Sequence, residues 1–354
     1  MQDRRHRGAL SNPANRYDQT RAEAIDDGWG HHPDEDPPPL RTIVIEDSSR
    51  SIITRNTSPD IPFDRSINPY RGCEHGCVYC FARPSHAWLG LSPGLDFETR
   101  LFAKPDAAAL LDSELRKKTY ACAPIAIGTN TDPYQPIERE RRVMRQVLEV
   151  LSAFEHPVMI TTKSALIERD TELLAQMAAR DLVRVGISIT TLDRDMARLL
   201  EPRASPPKAR LRAIRTLAGA GVPVRVMVAP IMPLLTDHEI ERIMAAAAEA
   251  GARWAAHILL RLPLEVKELF AEWLETHHPG KAAHVLALVR QTRDGALYQA
   301  QFGTRLAGTG PYAEMIAQRA RLAAAKLGLN GPDPGPDVGR FRPPPRPGDQ
   351  LSLF

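Results

Sequence analysis

The sequence has little cysteine and no long apolar run. It contains 4 cysteines in 354 residues, which argues against the disulfide framework of a secreted domain. No stretch approaches the ~18 apolar residues of a membrane-spanning helix. The basic residues Arg4 and Arg5 are not followed by the apolar segment of an export signal. We therefore expect a cytoplasmic protein that does not engage a membrane.

The charge balance excludes little by itself. The net charge is +3 at pH 7, and so mild an excess does not argue for a nucleic-acid partner. Hydrophobic residues make up 43% of the chain, enough for one large core or two small ones. Proline is abundant at both ends of the chain, where hydrophobic periodicity is missing, so the ends are expected to be non-globular.

Three of the four cysteines lie in one short loop. Residues 68–81 read NPYRGCEHGCVYCF, which places Cys73, Cys77 and Cys80 at the spacing C-x3-C-x2-C. A 4Fe–4S cluster ordinarily takes four cysteines. A loop with three thiolates would leave one iron open to a small molecule. The two glycines of the loop suit a backbone that wraps around a cluster, and the aromatic residues Tyr79 and Phe81 are expected near a bound cofactor.

Zinc is the alternative for the same cysteines. His75 or His86 could complete a tetrahedral site with three cysteines and one histidine. Zinc sites usually pair two short cysteine knuckles, however, and the sequence has no second one. Cys122 stands apart at the start of an apolar run, where a buried, inert thiol is expected.

The cysteine loop resembles that of the radical S-adenosylmethionine (AdoMet) enzymes. In that superfamily the amino and carboxylate groups of AdoMet chelate the open iron of a 4Fe–4S cluster. An electron from the reduced cluster cleaves AdoMet to a 5′-deoxyadenosyl radical, which abstracts hydrogen from substrate. The resemblance implies a 4Fe–4S cluster and AdoMet as cofactors, Cys73, Cys77 and Cys80 as the iron ligands, and a cellular one-electron reductant as partner.

Short apolar runs alternate with segments of helical period after this loop, which predicts parallel strands joined by crossover helices. The predicted strands are 124–128, 158–162, 182–190, 222–229 and 255–260. The predicted helices are 137–154, 170–180, 207–220, 236–250 and 312–327, with a capping box at Thr236 and Glu239. A first strand before the cysteine loop makes about six strands, which fits the partial (β/α)6 TIM-type barrel of the superfamily.

The chain is accordingly divided into four parts. We expect a disordered polar tail over 1–50, the α/β partial barrel over 51–270, a C-terminal helical extension over 271–330 and a Pro/Gly-rich tail over 331–354. Because active sites of such barrels gather at the C-terminal ends of the strands, the residues that follow each strand are the candidates for chemistry.

Two strand ends carry polar residues that suit AdoMet. After the second strand, Thr131 and Asp132, with Asn130 and Gln135 nearby, are the candidates for the AdoMet amino group, because a carboxylate binds an ammonium by charge-assisted hydrogen bonds. The alternative is an Asp-Pro turn that caps the next helix. After the third strand, Lys163 would be costly to bury without a partner, and the AdoMet carboxylate would be one.

Two further residues complete the predicted AdoMet site. Ser188, in the fourth strand, would share the carboxylate with Lys163, or else its hydroxyl bonds its own backbone. Arg203, in the loop that follows, would face ribose, carboxylate or an anionic substrate. A surface ion pair with Glu201 is the alternative for Arg203.

Within the superfamily, residues 60–270 most resemble the spore-photoproduct-lyase branch, which has a similar Thr-Lys after the third strand. The lyases carry a hydrogen-donating cysteine three residues before the aspartate that corresponds to Asp132. This sequence has Thr129 there, and a threonine hydroxyl is a poor hydrogen-atom donor. Cys122 lies seven residues further upstream, at the wrong end of the strand. Repair by the lyase route is therefore not expected.

The last five residues resemble the peptide by which bacterial repair proteins dock on the DNA sliding clamp. Leu351, Leu353 and Phe354 would fill an apolar groove and Gln350 a second, polar pocket. Residues 331–349, extended at ~3.1 Å each, would reach on the order of 55–60 Å from the body. The alternative is that the peptide folds back on the body.

Two functions follow from these features. The first is a radical AdoMet enzyme that acts on a nucleic-acid lesion or base, with RNA and peptide substrates left open. The second is a zinc- or cluster-stabilised adaptor, without enzymatic activity, that docks on the clamp. Metal content and AdoMet turnover distinguish the two.

Overall fold

The structure, a computed structural model, describes residues 7–18 and 40–346. The strands are β1 (Ile43–Glu46), β2 (Ile53–Arg55), β3 (Arg65–Ile67), β4 (Tyr70–Arg71), β5 (Arg100–Ala103), β6 (Ile125–Ile127), β7 (Val158–Thr162), β8 (Val183–Ser188), β9 (Val224–Ile231) and β10 (Trp254–Leu259). The helices are α1 (Asp96–Thr99), α2 (Ala107–Leu115), α3 (Glu138–Arg141), α4 (Val143–Ala153), α5 (Thr171–Ala178), α6 (Arg194–Leu200), α7 (Pro207–Gly219), α8 (Ile240–Glu249), α9 (Val266–His277), α10 (Pro279–Gln291) and α11 (Gly310–Lys326). Short 3-10 helices cover Arg83–Leu89, Ala165–Asp170 and Asp237–Glu239.

The main sheet is an open, mostly parallel barrel. Its strand order is β10-β9-β8-β7-β6-β3-β2. The strands from β3 to β10 in this sheet run parallel to their neighbours, and β2 pairs antiparallel with β3. A smaller sheet has the order β1-β5-β4. The six parallel strands, joined by helices, confirm the predicted partial (β/α)6 barrel.

Alternation along each strand separates the core from the barrel interior. In β9, Val224, Val226 and Val228 are buried, and they share a core cluster with Met244 of α8. The side chains between them point to the other face of the sheet, where Met227 lies next to Ser188 of β8. The helices therefore seal the outside of the barrel and leave its strand ends for polar residues.

The predicted capping box at the start of α8 is wrong. Thr236 does not cap the helix with its side chain. Its hydroxyl instead accepts a hydrogen bond from the Met232 backbone N–H at 3.0 Å. The Glu239 carboxylate accepts from the Leu192 N–H at 2.9 Å and from the Thr191 hydroxyl. Tertiary partners on the loop after β8 outcompete the local cap.

The N-terminal stretch departs from the predicted disordered tail wherever the structure describes it. The backbone N–H groups of Gly8 and Ala9 donate to the Glu98 carboxylate at 2.9 and 2.8 Å. A Cβ on Gly8 would lie 1.7 Å from the Gly76 carbonyl oxygen, so the segment runs directly against the cysteine loop. Residues 43–46 form β1. Composition did not predict that this segment is ordered, because its contacts are made by backbone groups and buried charges.

The C-terminal stretch is also held on the body over 331–346. Asp333 accepts hydrogen bonds from Arg184 at 3.1 Å and Arg225 at 2.7 Å, both near the N-terminal ends of their strands. Phe341 packs against Tyr120, with ring centroids 5.4 Å apart. This segment therefore closes the end of the barrel at which the strands begin, because the Asp333 carboxylate binds two arginines that face the barrel interior.

That placement corrects the predicted reach of the clamp-binding peptide. Residues 350–354 lie outside the described ranges, and their role stays a prediction. Only residues 347–349 separate them from the held segment, a span of ~10 Å when extended, well short of a long tether. No helix within residues 7–18 and 40–346 is long and apolar enough to cross a membrane.

Candidate active site

The cysteine loop, residues 68–81, follows β3 at the C-terminal edge of the barrel. Cys73 and Cys77 are buried and Cys80 is half-buried. Burial raises the pKa of the Cys73 thiol well above its ordinary value, and repulsion from Asp132, Cys77 and Cys80 raises it further. Cys80 packs against the apolar clusters that contain Cys73 and Cys77, so the three cysteines lie close together.

The path of the loop depends on glycine and on one buried ion pair. Gly76 has a φ of +66°, and a Cβ there would lie 2.7 Å from Glu98 Oε2, so another residue would be strained as well as crowded. The fully buried Arg83 donates to the carbonyls of Cys77 at 2.9 Å and Gly76 at 3.2 Å. Glu98, also fully buried, neutralises Arg83 across 2.5 Å. Arg83 and Glu98 thus clamp the loop and the N-terminal segment together.

The donor set of this loop fits a 4Fe–4S cluster. Each thiolate of a cubane cluster binds a different iron, so three cysteines leave the fourth iron without a protein ligand. Burial also raises the pKa of the Cys77 and Cys80 thiols, so bound iron would have to displace their protons. Within 7–18 and 40–346, no three His, Cys, Asp or Glu side chains are grouped as ligands of a single metal ion.

Both histidines proposed as a fourth zinc ligand have other partners. The His75 Nδ1 atom lies 3.3 Å from Asp132 Oδ2. The His86 Nε2 atom lies 2.9 Å from the carbonyl oxygen of Arg100, and its ring packs edge-on against Phe97. Each contact uses one ring nitrogen and leaves the other for a metal, so these contacts alone do not decide between zinc and a cluster.

The Asp132 carboxylate is bonded to other groups of the protein. Oδ1 accepts from the Thr162 hydroxyl at 2.6 Å and from the Tyr134 N–H at 2.9 Å. Oδ2 accepts from the Lys163 N–H at 2.7 Å and faces His75. Burial alone would raise the pKa of Asp132, but His75 and these donors outweigh it and hold the pKa below its ordinary value. The four acceptor positions of the carboxylate are used, so Asp132 fixes the strand ends of β6 and β7 to the cysteine loop.

The neighbours of Asp132 also hold this loop. The Thr131 hydroxyl donates to the Tyr70 carbonyl at 2.8 Å. The buried Gln135 side chain donates to the Gly72 carbonyl at 3.2 Å and accepts from the Glu74 N–H at 2.9 Å. The loop after β6 is therefore a structural support for the cysteines as well as a candidate AdoMet contact.

Lys163 has a protein partner that the sequence did not reveal. Its Nζ atom donates to the Ala229 carbonyl at 3.1 Å and lies 3.4 Å from Glu201 Oε1. Glu201 is buried and also pairs with Arg210. Burial would raise the pKa of the Glu201 carboxyl, but Arg210 and Lys163 reverse this and hold the pKa far below its ordinary value. An ammonium has three donors, so Lys163 keeps one for a ligand.

Ser188 and Arg203 have different partners around this network. The Ser188 carbonyl accepts from Arg210 at 3.0 Å, and its buried side-chain hydroxyl makes no hydrogen bond in the part of the chain that the structure describes. The ion pair between Arg203 and Glu201, which the sequence left open as an alternative, is not formed in the described residues. The Arg203 guanidinium donates to Glu74 at 2.9 Å, because Glu201 is buried beneath the loop and taken by Arg210.

The structure brings together Thr131, Asp132, Lys163, Ser188 and Arg203 through these shared partners. Sequence reasoning missed the residues that join them, above all Glu201 and Arg210. A carboxylate next to a proline and an arginine on the first turn of a predicted helix were the available signals, but nothing in their spacing indicates burial. Tyr79 was expected near a cofactor, and its hydroxyl is hydrogen-bonded to Glu201.

Comparison with known families decides the kind of protein to which this site belongs. Residues 67–247, just over half of the chain, match the family model described as the Radical SAM superfamily. The chain belongs to the radical SAM superfamily. The matched region begins in β3 and ends in α8, so it contains the cysteine loop and the candidate AdoMet residues.

Sequence relatives of this radical SAM protein include uncharacterized proteins. One from Mycobacterium tuberculosis and one from Mycobacterium bovis are each 36% identical over 273 residues, covering 77% of this chain and 76% of the relative. Another, from Methanocaldococcus jannaschii, is 27% identical over 173 residues, 49% of this chain and 62% of the relative.

Among solved structures, the chain is similar to spore photoproduct lyases. A lyase mutant with bound AdoMet and dinucleoside spore photoproduct has a TM-score of 0.58 at 16% identity, covering 80% of this chain and 79% of the lyase. A lyase complexed with dinucleoside spore photoproduct has a TM-score of 0.57 at 18% identity, covering 80% and 78%. The resemblance to this branch is confirmed at the level of fold, and the protein is a radical SAM enzyme.

Proposed function

We propose that this radical SAM enzyme cleaves AdoMet reductively at a 4Fe–4S cluster bound by Cys73, Cys77 and Cys80, and that it acts on a nucleic-acid lesion or base. The observation that carries the proposal is the buried three-thiol loop at the strand ends of a radical SAM barrel. When bound and reduced, the cluster supplies the electron that cleaves AdoMet and so generates the 5′-deoxyadenosyl radical.

The chain's own residues would bind AdoMet and keep water out. Among the described residues, Lys163 leaves one N–H donor and Ser188 its hydroxyl without a partner, which suits both for the AdoMet carboxylate. Asp132 would act indirectly, since it holds His75 and the Lys163 backbone in place. Glu201, which Arg210 neutralises, orients the Lys163 ammonium.

A nucleic-acid substrate is supported by the branch to which the fold belongs. Solved lyases of this fold bind a dinucleoside photoproduct. Thr129 stands where the lyases have their hydrogen-donating cysteine, and it lies at the strand end beside Thr131. Because a threonine O–H does not readily give up a hydrogen atom, we do not propose spore photoproduct repair by the lyase route. The substrate radical would be quenched by a different donor or would rearrange.

Replacing Lys163 with methionine tests the AdoMet site. The variant should raise the KM for AdoMet about 10- to 100-fold, the loss expected for a hydrogen bond to a charged group, because the AdoMet carboxylate loses a cationic partner. Arg210 still neutralises Glu201, so the fold should persist. Lys267→Met, at an exposed position on α9, is the matched control. An unchanged KM for AdoMet in the Lys163 variant would remove this residue from the site.

Substrate class can be tested by coupled turnover. Wild-type enzyme with a reconstituted cluster, dithionite and AdoMet should form 5′-deoxyadenosine faster when ultraviolet-irradiated DNA is added than when untreated DNA is added. When the DNA is labelled with tritium or deuterium, the label should appear in the 5′-deoxyadenosine. Stimulation by a peptide mixture and by none of the DNA or RNA preparations would overturn the nucleic-acid assignment and leave AdoMet cleavage standing.

A further inference from the structure

An unpaired arginine lies beside the cysteine loop. Arg261 follows β10 by two residues, at the same edge of the barrel as the cysteines. Its guanidinium carbon lies 5.0 Å from the centroid of the Phe81 ring, and Phe81 directly follows Cys80. Across residues 7–18 and 40–346, Arg261 has no hydrogen-bonded or carboxylate partner, and its Nε is buried without an acceptor. A cation placed in this way lacks the anion that would offset its desolvation.

A second arginine lies behind it and adds to the positive charge. Arg293 is fully buried and donates to four backbone carbonyls, those of Leu259, Leu260, Thr304 and Arg305. Burial, together with repulsion from Arg261, lowers the pKa of Arg293 to about 10. Glu265, four residues after Arg261, pairs through Oε1 with Arg16 at 2.6 Å, and among the described residues it forms no ion pair with Arg261 or Arg293. The two guanidinium groups therefore form a positive spot that the Glu265 carboxylate does not neutralise.

Exposed aromatic rings flank the spot. Phe81 is 45% exposed, Trp88 74% and Tyr17 51%, and the Trp88 and Tyr17 rings lie 5.1 Å apart. Arg16, which stacks on Tyr17 at 4.9 Å, donates to the Pro84 carbonyl at 3.2 Å and pairs with Glu265. Arg16 thus links the 3-10 helix that carries Trp88 to the loop that carries Arg261.

We infer that Arg261 binds a backbone phosphate of an unpaired nucleic-acid strand, while Phe81 and the Trp88–Tyr17 pair stack on its bases. Arginine matches the geometry of a phosphodiester and is the cation that best tolerates partial burial. Aromatic faces interleaved with arginine are the recognition surface of single strands, in which base faces are free to stack. This inference rests on the proposed nucleic-acid substrate and places that strand over the cluster loop. An acidic peptide would satisfy Arg261 but would leave the rings without a stacking partner.

The test measures binding of a fluorescently labelled single-stranded oligonucleotide by anisotropy over a range of KCl concentrations. Arg261→Ala should weaken binding about tenfold at low salt and reduce the slope of log K against log[salt] by about 0.7, the effect of one lost phosphate contact on a single strand. Arg261→Lys should keep the slope while losing part of the affinity. Phe81→Leu should lower the affinity and leave the slope unchanged. Arg340→Ala removes one exposed positive charge at the opposite end of the barrel and should change neither quantity.

Three outcomes would contradict the role of Arg261, the nucleic-acid contact and the substrate class, respectively. Equal affinity and slope for Arg261→Ala and Arg340→Ala would overturn the role of Arg261, provided that absorption of the cluster and circular dichroism show both variants folded. Equal binding of an acidic peptide of the same charge would overturn the nucleic-acid contact in favour of general anion binding. Wild-type enzyme that produces 5′-deoxyadenosine and yet binds no oligonucleotide would overturn the inference and the substrate class together, with AdoMet cleavage intact.

Discussion

Replacing Cys73 with alanine is expected to abolish assembly of the 4Fe–4S cluster and, with it, cleavage of AdoMet. The loop supplies only three thiols, so the loss of one leaves two irons without protein ligands instead of one. Cys77→Ala and Cys80→Ala should behave alike. Iron and sulfide content after anaerobic reconstitution, the visible absorption of the cluster, and 5′-deoxyadenosine formation are the measurements.

Cys122→Ala is the matched control for these variants. Cys122 lies half-buried before β6, at the end of the barrel away from the cysteine loop, so its loss should leave cluster content and turnover at the wild-type level. A full 4Fe–4S spectrum in Cys73→Ala would contradict the ligand assignment. A loss of cluster in Cys122→Ala alone would move the assignment to that residue.

Glu98→Ala is expected to lower the free energy of unfolding by about 3–5 kcal/mol, the cost of removing one partner of a buried ion pair. Glu98 and Arg83 are both fully buried, so the variant leaves the Arg83 guanidinium uncompensated. The N-H groups of Gly8 and Ala9 lose their acceptor at the same time. Urea denaturation measures the change, and limited proteolysis should show earlier cleavage of the N-terminal segment.

An exposed pair provides the comparison for Glu98. Lys267 and Glu268 on α9 lie 3.4 Å apart with exposed side chains, and Glu268→Ala should change the free energy of unfolding by less than about 1 kcal/mol. A Glu98 variant as stable as Glu268→Ala would show that the clamp on the cysteine loop contributes nothing. Loss of cluster binding in the Glu98 variant, with the fold retained, would show that the clamp positions the loop without stabilising the barrel.

Much of the barrel could be predicted because its strands are short apolar runs between helices of clear period. Val158–Thr162 was predicted to the residue, and α7 and α11 differ from prediction by only one or two residues at their ends. The predicted helix over 137–154 is instead two helices, broken at Arg142, whose φ is +52°. Local period does not indicate such a break, because the second helix begins with a side-chain contact: the Met144 N–H donates to the Glu138 carboxylate at 3.1 Å.

Part of the candidate site could also be predicted from the sequence. The cysteines and the residues at strand ends follow from spacing and from barrel topology. The partners that hold them do not, because Glu201 is 38 residues from Lys163 along the chain, and Glu98 is 15 residues from Arg83. The terminal segments were misjudged because composition reports hydrophobicity, whereas Asp333 and the Gly8 backbone are held by charge and by backbone hydrogen bonds.

AdoMet turnover by the wild-type enzyme is the most direct test of cluster-dependent radical chemistry in this protein. The protein would be purified without oxygen, reconstituted with iron and sulfide, reduced with dithionite and assayed for 5′-deoxyadenosine, with metal content measured on the same sample. We predict 5′-deoxyadenosine formation that depends on Cys73, Cys77 and Cys80, together with iron and sulfide at the content of one cubane cluster. Stoichiometric zinc with no cleavage of AdoMet would contradict it.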